Sequence, residues 1–328
     1  MKEERYVYAV STVKINEKTL LSTDFLEQLL STRHYDDVRR QLAEHGWLGS
    51  SSEDDDAQLQ KLLIQSWELI NEISPEPDLL EAMVLKNDYH NLKAALKCSF
   101  SDVPPDKYFI KPCMFDIEEL ASAVFDRSFD RLPEHMQDVA VQAHEVYMRT
   151  QNSQYSETII DTGALSAIRD AGKRSESKLI NFASELTCAA ANVKTAIRAI
   201  RTQKDAHFLE TALCECDSLD KKELIAAALK GEGALLAYLG TTPYEDAVKT
   251  LEDDPDNHSS LSAFEKWFDD RLTECIRETK SVFFGPDPLA AYYLAREIEL
   301  RNIRILLSGK RHEVDDSVIR ERMRKLYV

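Results

Sequence analysis

The sequence predicts an all-α protein made of three similar helical domains, and three observations carry that prediction. Glycine is scarce, with nine in 328 residues, and prolines cluster at Ser74-Pro75-Glu76-Pro77, Pro104-Pro105 and Gly285-Pro286-Asp287-Pro288. Between them run long stretches rich in Ala, Leu, Glu, Lys and Arg, which favour helix. Alternating β-branched runs closed by Asn-Gly or Asp-Gly turns are missing. Finally, one helical motif recurs three times, at intervals close to a third of the chain.

The helix starts can be read in order. Ser22-Thr23-Asp24 precedes Phe25-Leu26-Glu27-Gln28-Leu29-Leu30, placing side-chain oxygens where free backbone N–H groups need acceptors. Asp116-Ile117-Glu118-Glu119 and Asp220-Lys221-Lys222-Glu223 each set a capping oxygen three residues before a Glu. Two acidic stretches, Ser50–Asp56 and Glu252–His258, read as solvated loops or helix starts. Asp253-Asp254-Pro255-Asp256 superficially suggests a cation site, but with Pro255 inside it and no distant partner it reads as a plain turn.

The repeated helix begins Asn91-Leu92-Lys93-Ala94-Ala95-Leu96-Lys97. It returns as Asn192-Val193-Lys194-Thr195-Ala196-Ile197-Arg198 and as Asn302-Ile303-Arg304-Ile305-Leu306-Leu307-Ser308, after 101 and 110 residues. A second element keeps the same register. Tyr35 in Thr32-Arg33-His34-Tyr35-Asp36-Asp37 matches Tyr244 in Thr241-Thr242-Pro243-Tyr244-Glu245-Asp246, with Leu42 and Leu251 each seven positions on. The two tyrosines are 209 residues apart and the outer asparagines 211, so two independent markers agree. The expected domains are 1–110, 111–216 and 217–328.

The repeat helices also carry basic stripes. At about 100° per residue, Lys86, His90, Lys93 and Lys97 fall along one line. The second copy aligns Lys194, Arg198 and Arg201. The third keeps Arg301, Arg304 and Arg311, interrupted by Ser308, with Glu297 set to pair with Arg301 one turn away. Such a stripe is either a solvated or internally paired face, or a surface that meets an acidic partner. The helix from Leu289 to Leu307 is apolar on two nearly opposite sides, so it is expected to be sandwiched, with its Arg and Glu residues paired, snorkelling or facing water.

Composition narrows the function. With 41 Lys+Arg against 58 Asp+Glu the net charge is −17, which disfavours the nucleic-acid backbone as main partner. No apolar run approaches the roughly 18–20 residues needed to span a bilayer. Met1-Lys2-Glu3-Glu4-Arg5 is charged and precedes no signal-type apolar core, so a cytoplasmic chain is expected. Cys98, Cys113, Cys188, Cys214, Cys216 and Cys275 show no framework spacing and are expected as free thiols; Cys214-Glu215-Cys216 lacks the second pair that a metal or redox motif would want.

Catalytic signatures are missing. Gly163 to Gly172-Lys173-Arg174 has the wrong spacing for a phosphate-binding loop and Arg where a hydroxyl is needed. The eight histidines form no His pair one turn apart with an adjacent Glu, and no Gly-x-Ser-x-Gly elbow occurs. No cofactor or metal is expected. An enzyme whose site residues converge only in space, and a helical-repeat scaffold for some other partner, remain as alternatives.

The last third, from Phe283-Phe284-Gly285-Pro286-Asp287-Pro288 through Tyr292-Tyr293-Leu294-Ala295-Arg296-Glu297-Ile298-Glu299-Leu300-Arg301-Asn302, and ending Val318-Ile319-Arg320-Glu321-Arg322-Met323-Arg324-Lys325-Leu326-Tyr327-Val328, resembles the C subunits of the archaeal and bacterial A/V-type rotary ATPases. That family is related to the d subunits of the vacuolar enzymes. Tyr6-Val7-Tyr8-Ala9-Val10, Tyr35-Asp36-Asp37-Val38 and Lys86-Asn87-Asp88-Tyr89-His90-Asn91-Leu92-Lys93 resemble it too. The resemblance implies three helical domains in a funnel with pseudo-three-fold symmetry, and a non-catalytic adaptor peripheral on the cytoplasmic face of the membrane. Its implied partners are the D- and F-type central-stalk subunits and the proteolipid rotor ring, within a hetero-oligomeric complex that moves protons or sodium ions. On this reading Lys86, His90, Lys93, Lys97, Lys194, Arg198, Arg201, Arg301 and Arg304 are candidate partner-binding residues.

Overall fold

The structure is a computed structural model that describes residues 3–49, 54–101, 103–252 and 258–328. The serine-rich start of the first acidic stretch (50–53) and the Asp-Pro turn at 253–257 lie outside the described residues. Among the described residues the regular structure is α-helix and short 3-10 turns, with no strand. The all-α expectation holds.

In chain order the helices are α1 (Val7–Asn16), α2 (Thr23–Ser31), α3 (Tyr35–Glu44), α4 (Asp55–Ile73), α5 (Glu81–Ser101), α6 (Ile117–Phe125), α7 (Glu134–Thr150) and α8 (Ser153–Arg174). They continue as α9 (Lys178–Arg201), α10 (Ala206–Ala212), α11 (Lys221–Lys230), α12 (Glu232–Leu239), α13 (Glu245–Glu252), α14 (His258–Glu278), α15 (Asp287–Arg311) and α16 (Asp316–Arg322). The caps are those the sequence sets out. Ser22 Oγ accepts the Phe25 N–H at 3.2 Å, and Asp116 and Asp220 accept those of Glu119 and Glu223 at 2.9 Å. Each such cap stabilises its helix by about 1 kcal/mol.

The chain folds into two compact units. The first comprises residues 1–79, 176–179 and 250–328; the second comprises 80–175 and 180–249. In the first unit α15 is the axis, with α1, α3, α4, α14 and α16 packed around it. The two apolar sides read from its sequence are both covered: Leu289, Tyr293, Leu300 and Ile303 on one, Leu294 and Ile298 on the other. In the second unit α8 lies between α5 and α7, while α6 packs on α5 and α10 on α8.

Close crossings in the second unit depend on missing side chains. A Cβ at Gly172 of α8 would stand 2.5 Å from Ser184 Cβ on α9, and one at Gly163 would stand 2.7 Å from Val139 of α7. Gly172→Ala is therefore expected to destabilise the protein by about 1–3 kcal/mol through overpacking. Combining it with Ser184→Gly should recover most of that loss, as read by thermal unfolding. A single variant that melts like the parent would refute the close crossing.

The recurrent asparagines have one shared structural job. Asn91 Nδ2 donates to Ile110 O at 2.9 Å while Asn91 Oδ1 accepts the Ile110 N–H at 2.8 Å. Asn192 does the same to Cys214, at 2.8 and 3.0 Å, and Asn302 to Arg324, both at 2.9 Å. A primary amide carries, side by side, the donor and the acceptor needed to pair with both the C=O and the N–H of a single residue. All three asparagines are buried. Each staple fastens a long helix to an extended segment 19 to 22 residues further on.

Candidate functional site

A buried carboxylate stands three residues before the staple in two copies, Asp88 and Glu299, and Ala189 takes that place in the middle copy. Asp88 extends the first staple, accepting the N–H groups of Met114 and Phe115 at 2.9 to 3.1 Å, while Asn87 donates to Pro112 O at 2.8 Å. Burial raises the Asp88 carboxyl to about 6, outweighing these backbone N–H groups, which favour the charged form. The native protein thus holds this proton more tightly than the unfolded chain does. The stability gained from protonation is fully present below the ordinary carboxylate value and is lost as pH rises through about 6. Asp88→Asn is expected to flatten this part of the stability-versus-pH curve, measured by denaturant midpoints between pH 4 and 7. An unchanged slope would contradict the assignment.

Glu299 is more deeply engaged. It is 1% exposed, and its Oε2 accepts the Leu21 N–H at 2.6 Å while Oε1 pairs with Arg296 and lies 3.4 Å from the Trp47 indole nitrogen. Arg296, 6% exposed, also donates to Thr19 and to the Tyr292 hydroxyl. Burial raises the Glu299 carboxyl above its ordinary value, and the Arg296 guanidinium offsets only part of that rise. The sandwiched helix thus keeps its charges by pairing them.

The cations of the α5 stripe are already engaged within the chain. His90, Lys93 and Lys97 line a groove of about 430 Å³ with Ala94, Val103 and Tyr108. The His90 ring Nε2 lies 3.0 Å from Tyr108 O; Lys93 pairs with Asp161, and Lys97 with Glu157 at 2.9 Å, both on α8. Lys86 is exposed and engaged. Lys194 and Arg201 of α9 are half-buried and engaged, and Arg198 is exposed.

On α15, Arg301 pairs with Asp269 of α14 at 2.5 Å and lies 4.0 Å from Glu297, its expected partner one turn away. Arg304 bonds to Asp56 and Gln60 of α4 at 3.0 and 3.1 Å. Asp55 departs from the solvated reading. It opens α4 but is 7% exposed, because Arg39, Arg311 and the Tyr35 hydroxyl converge on its carboxylate. The second tyrosine of the repeat, Tyr244, instead bonds Ser218 Oγ at 2.8 Å.

Two features escape sequence reading. Tyr8 and Ile15 of α1 are 72% and 68% exposed; the signal for them is a helix whose only charged residue is Lys14. Cys214 and Cys216 both lie against the Asn192 amide, at 3.5 and 3.6 Å, a meeting that spacing does not announce. Among the described residues no His, Cys, Asp and Glu group is arranged to hold a metal ion, and no helix is long and apolar enough to cross a membrane.

Known proteins share this sequence along almost its whole length. The chain is 25% identical over 324 residues to the C subunit of the V-type sodium ATPase of Enterococcus hirae, spanning 96% of this chain and 97% of that protein. A family model described as ATP synthase (C/AC39) subunit matches residues 9–322, nearly the whole chain. The chain therefore belongs to the ATP synthase (C/AC39) subunit family, that of the C subunits of V/A-type ATPases.

Proposed function

We propose that this protein is the non-catalytic adaptor of a V/A-type rotary ATPase, standing on the cytoplasmic face of the membrane between the central shaft and the proteolipid rotor ring. Its work is to pass torque, so that ATP turnover in the catalytic head and movement of protons or sodium ions through the membrane stay coupled. The observation that carries the reading is the family match along residues 9–322. The relative named as part of a sodium ATPase supports it along almost all of both chains. Three units of the chain, 1–110, 111–216 and 217–328, would each supply one wall of the socket. In support, each asparagine staple closes within its own unit.

Torque transmission suits many modest polar contacts around an axis, since a single apolar patch resists sliding poorly. The shaft and ring would be met by Lys86, His90, Lys93, Lys97, Lys194, Arg198, Arg201, Arg301 and Arg304, with carboxylates of the partner competing for cations now held by Asp161, Glu157, Asp269 and Asp56. The exposed pairs among these, Lys93–Asp161 and Arg304–Asp56, contribute about 0.2–1 kcal/mol each, so exchanging one partner for another costs little there.

The test is to rebuild the complex with and without this chain. ATP hydrolysis by the head should persist while ATP-driven ion uptake into vesicles is lost. Uptake that survives without the chain would overturn the reading. In a shaft-capture assay, Lys93→Glu, Lys194→Glu and Arg304→Glu together should weaken capture of the shaft by a folded chain. Unchanged capture would remove these residues from the socket while leaving the adaptor role in place.

A further inference from the structure

Two of the repeats place a short helix just before the stapled residue, and the first repeat lacks it. The three long helices end alike: Cys98, Ala199 and Gly309, each seven residues after its asparagine, accept the N–H of the residue five positions on at 2.9 to 3.1 Å. From there the second and third repeats take ten residues to the staple, Lys204 to Cys214 and Val314 to Arg324, and these hold α10 and α16. The first repeat takes seven, Val103 to Ile110, and holds only the 3-10 turn Asp106–Tyr108. Each short helix buries an aliphatic side chain five residues before the stapled one, Leu209 at 1% and Ile319 at 2% exposure. Ile319 packs so closely on Gly309 that a Cβ there would stand 2.6 Å from it. At the same register the first repeat has Pro105, which lines a separate depression with Ala121 and Phe125 of α6.

What stands beside α5 instead is the groove of about 430 Å³. His90, Lys93, Ala94, Lys97, Cys98 and Ser101 follow one another at helical spacing along its floor, over about 16 Å. Val103 and Tyr108, 41% and 54% exposed, form the facing wall. The described lining residues carry three basic side chains and no acidic one. We propose that this groove receives an acidic amphipathic helix of the central shaft, in the place that α10 and α16 take in the other two repeats. The shaft as the source rests on the adaptor reading above; the groove and the chemistry of its occupant do not.

The occupant's chemistry follows from the lining. An aliphatic side chain on the incoming helix reaches Ala94 and Cys98, as Ile319 reaches Gly309, the residue that stands at the place of Cys98 in its own repeat. Carboxylates on its flank meet Lys93 and Lys97. Both cations are held by α8, through Asp161 and Glu157. An ammonium carries three donors, however, and can be shared between two carboxylates. In a chain of net charge −17, a groove whose described lining has no acidic side chain is where an acidic partner meets least repulsion. The apolar anchor supplies affinity, and the charges set the register of the helix in its groove.

The experiment uses the full-length protein and two probes: purified shaft subunits, and a fluorescent cross-linked helical peptide with leucines one turn apart flanked by glutamates. Val103→Glu puts a carboxylate on the exposed wall, and Ala94→Trp fills the floor. Each is expected to weaken peptide binding, read by fluorescence anisotropy, and shaft capture by ~10-fold or more. Exchanging the peptide's glutamates for lysines should weaken its binding likewise. Leu229→Glu, at an exposed position of α11 outside the groove, should change neither readout. Equal binding of the two peptides, or a Val103→Glu protein that binds both probes like the parent, would overturn the proposal. Val103→Glu decides the question even where Ala94→Trp folds poorly. Shaft capture untouched by variants that abolish peptide binding would overturn the shaft as occupant, as would a dimer of this chain that the same variants dissociate. A parent that captures no shaft would overturn the adaptor reading as well, whereas capture unaffected by Val103→Glu would overturn the groove alone.

Discussion

Glu299→Ala is expected to be the most damaging single substitution in the first unit, costing about 3–5 kcal/mol and lowering the thermal midpoint accordingly. The carboxylate neutralises Arg296, which is 6% exposed, and satisfies the Leu21 N–H at 2.6 Å. Alanine leaves a buried guanidinium without its anion and a buried N–H without its acceptor. Glu299→Gln should lose less, because an amide oxygen can still accept from Leu21, yet it leaves the Arg296 charge uncompensated. Replacing both partners with apolar residues, Arg296→Met with Glu299→Leu, should recover much of the loss, since the pair's mutual attraction is set against the desolvation of two ions. A Glu299→Ala protein as stable as the parent would mean that the network does not form.

Removing a staple comes second. Asn302→Ala exposes no new charge, but it strands the N–H and the C=O of Arg324, both otherwise satisfied by one amide. At about 1–3 kcal/mol for each buried group left without a partner, a loss of about 2–4 kcal/mol is expected, allowing for partial relaxation. Asn302→Asp should do no better, for a carboxylate accepts from the N–H but repels the carbonyl. Asn91→Ala and Asn192→Ala should fall in the same range, because the geometry is the same to within about 0.2 Å. Differential unfolding of the three variants checks this. One copy with no effect would break the equivalence of the repeats.

Local chemistry was legible in the sequence and long-range convergence was not. The caps at Ser22, Asp116 and Asp220 depend on atoms three residues apart, so the sequence displays both donor and acceptor. The sandwiched α15 could be read from apolar residues on two sides, and with it the need to pair its charges; that Arg296 would choose Glu299, with Leu21 and Trp47 completing the site, depends on residues more than 250 positions away. The asparagines stood out by recurrence, yet their job became visible only with the carbonyls and N–H groups they hold.

The basic stripes show the same boundary. Helical periodicity aligned Lys93 with Lys97, but their partners Asp161 and Glu157 come from another helix. Asp55, read as solvated, is drawn inward by Arg39 and Arg311, one of them at the far end of the chain.

Whether one chain joins shaft to ring is tested most directly by a bridging pull-down. Detergent-solubilised proteolipid ring is immobilised, purified shaft subunits are added with or without this protein, and the retained shaft is quantified. The shaft is expected to be retained only when the protein is present, in roughly stoichiometric amount. Shaft retention that is the same with and without the folded chain would contradict the adaptor role.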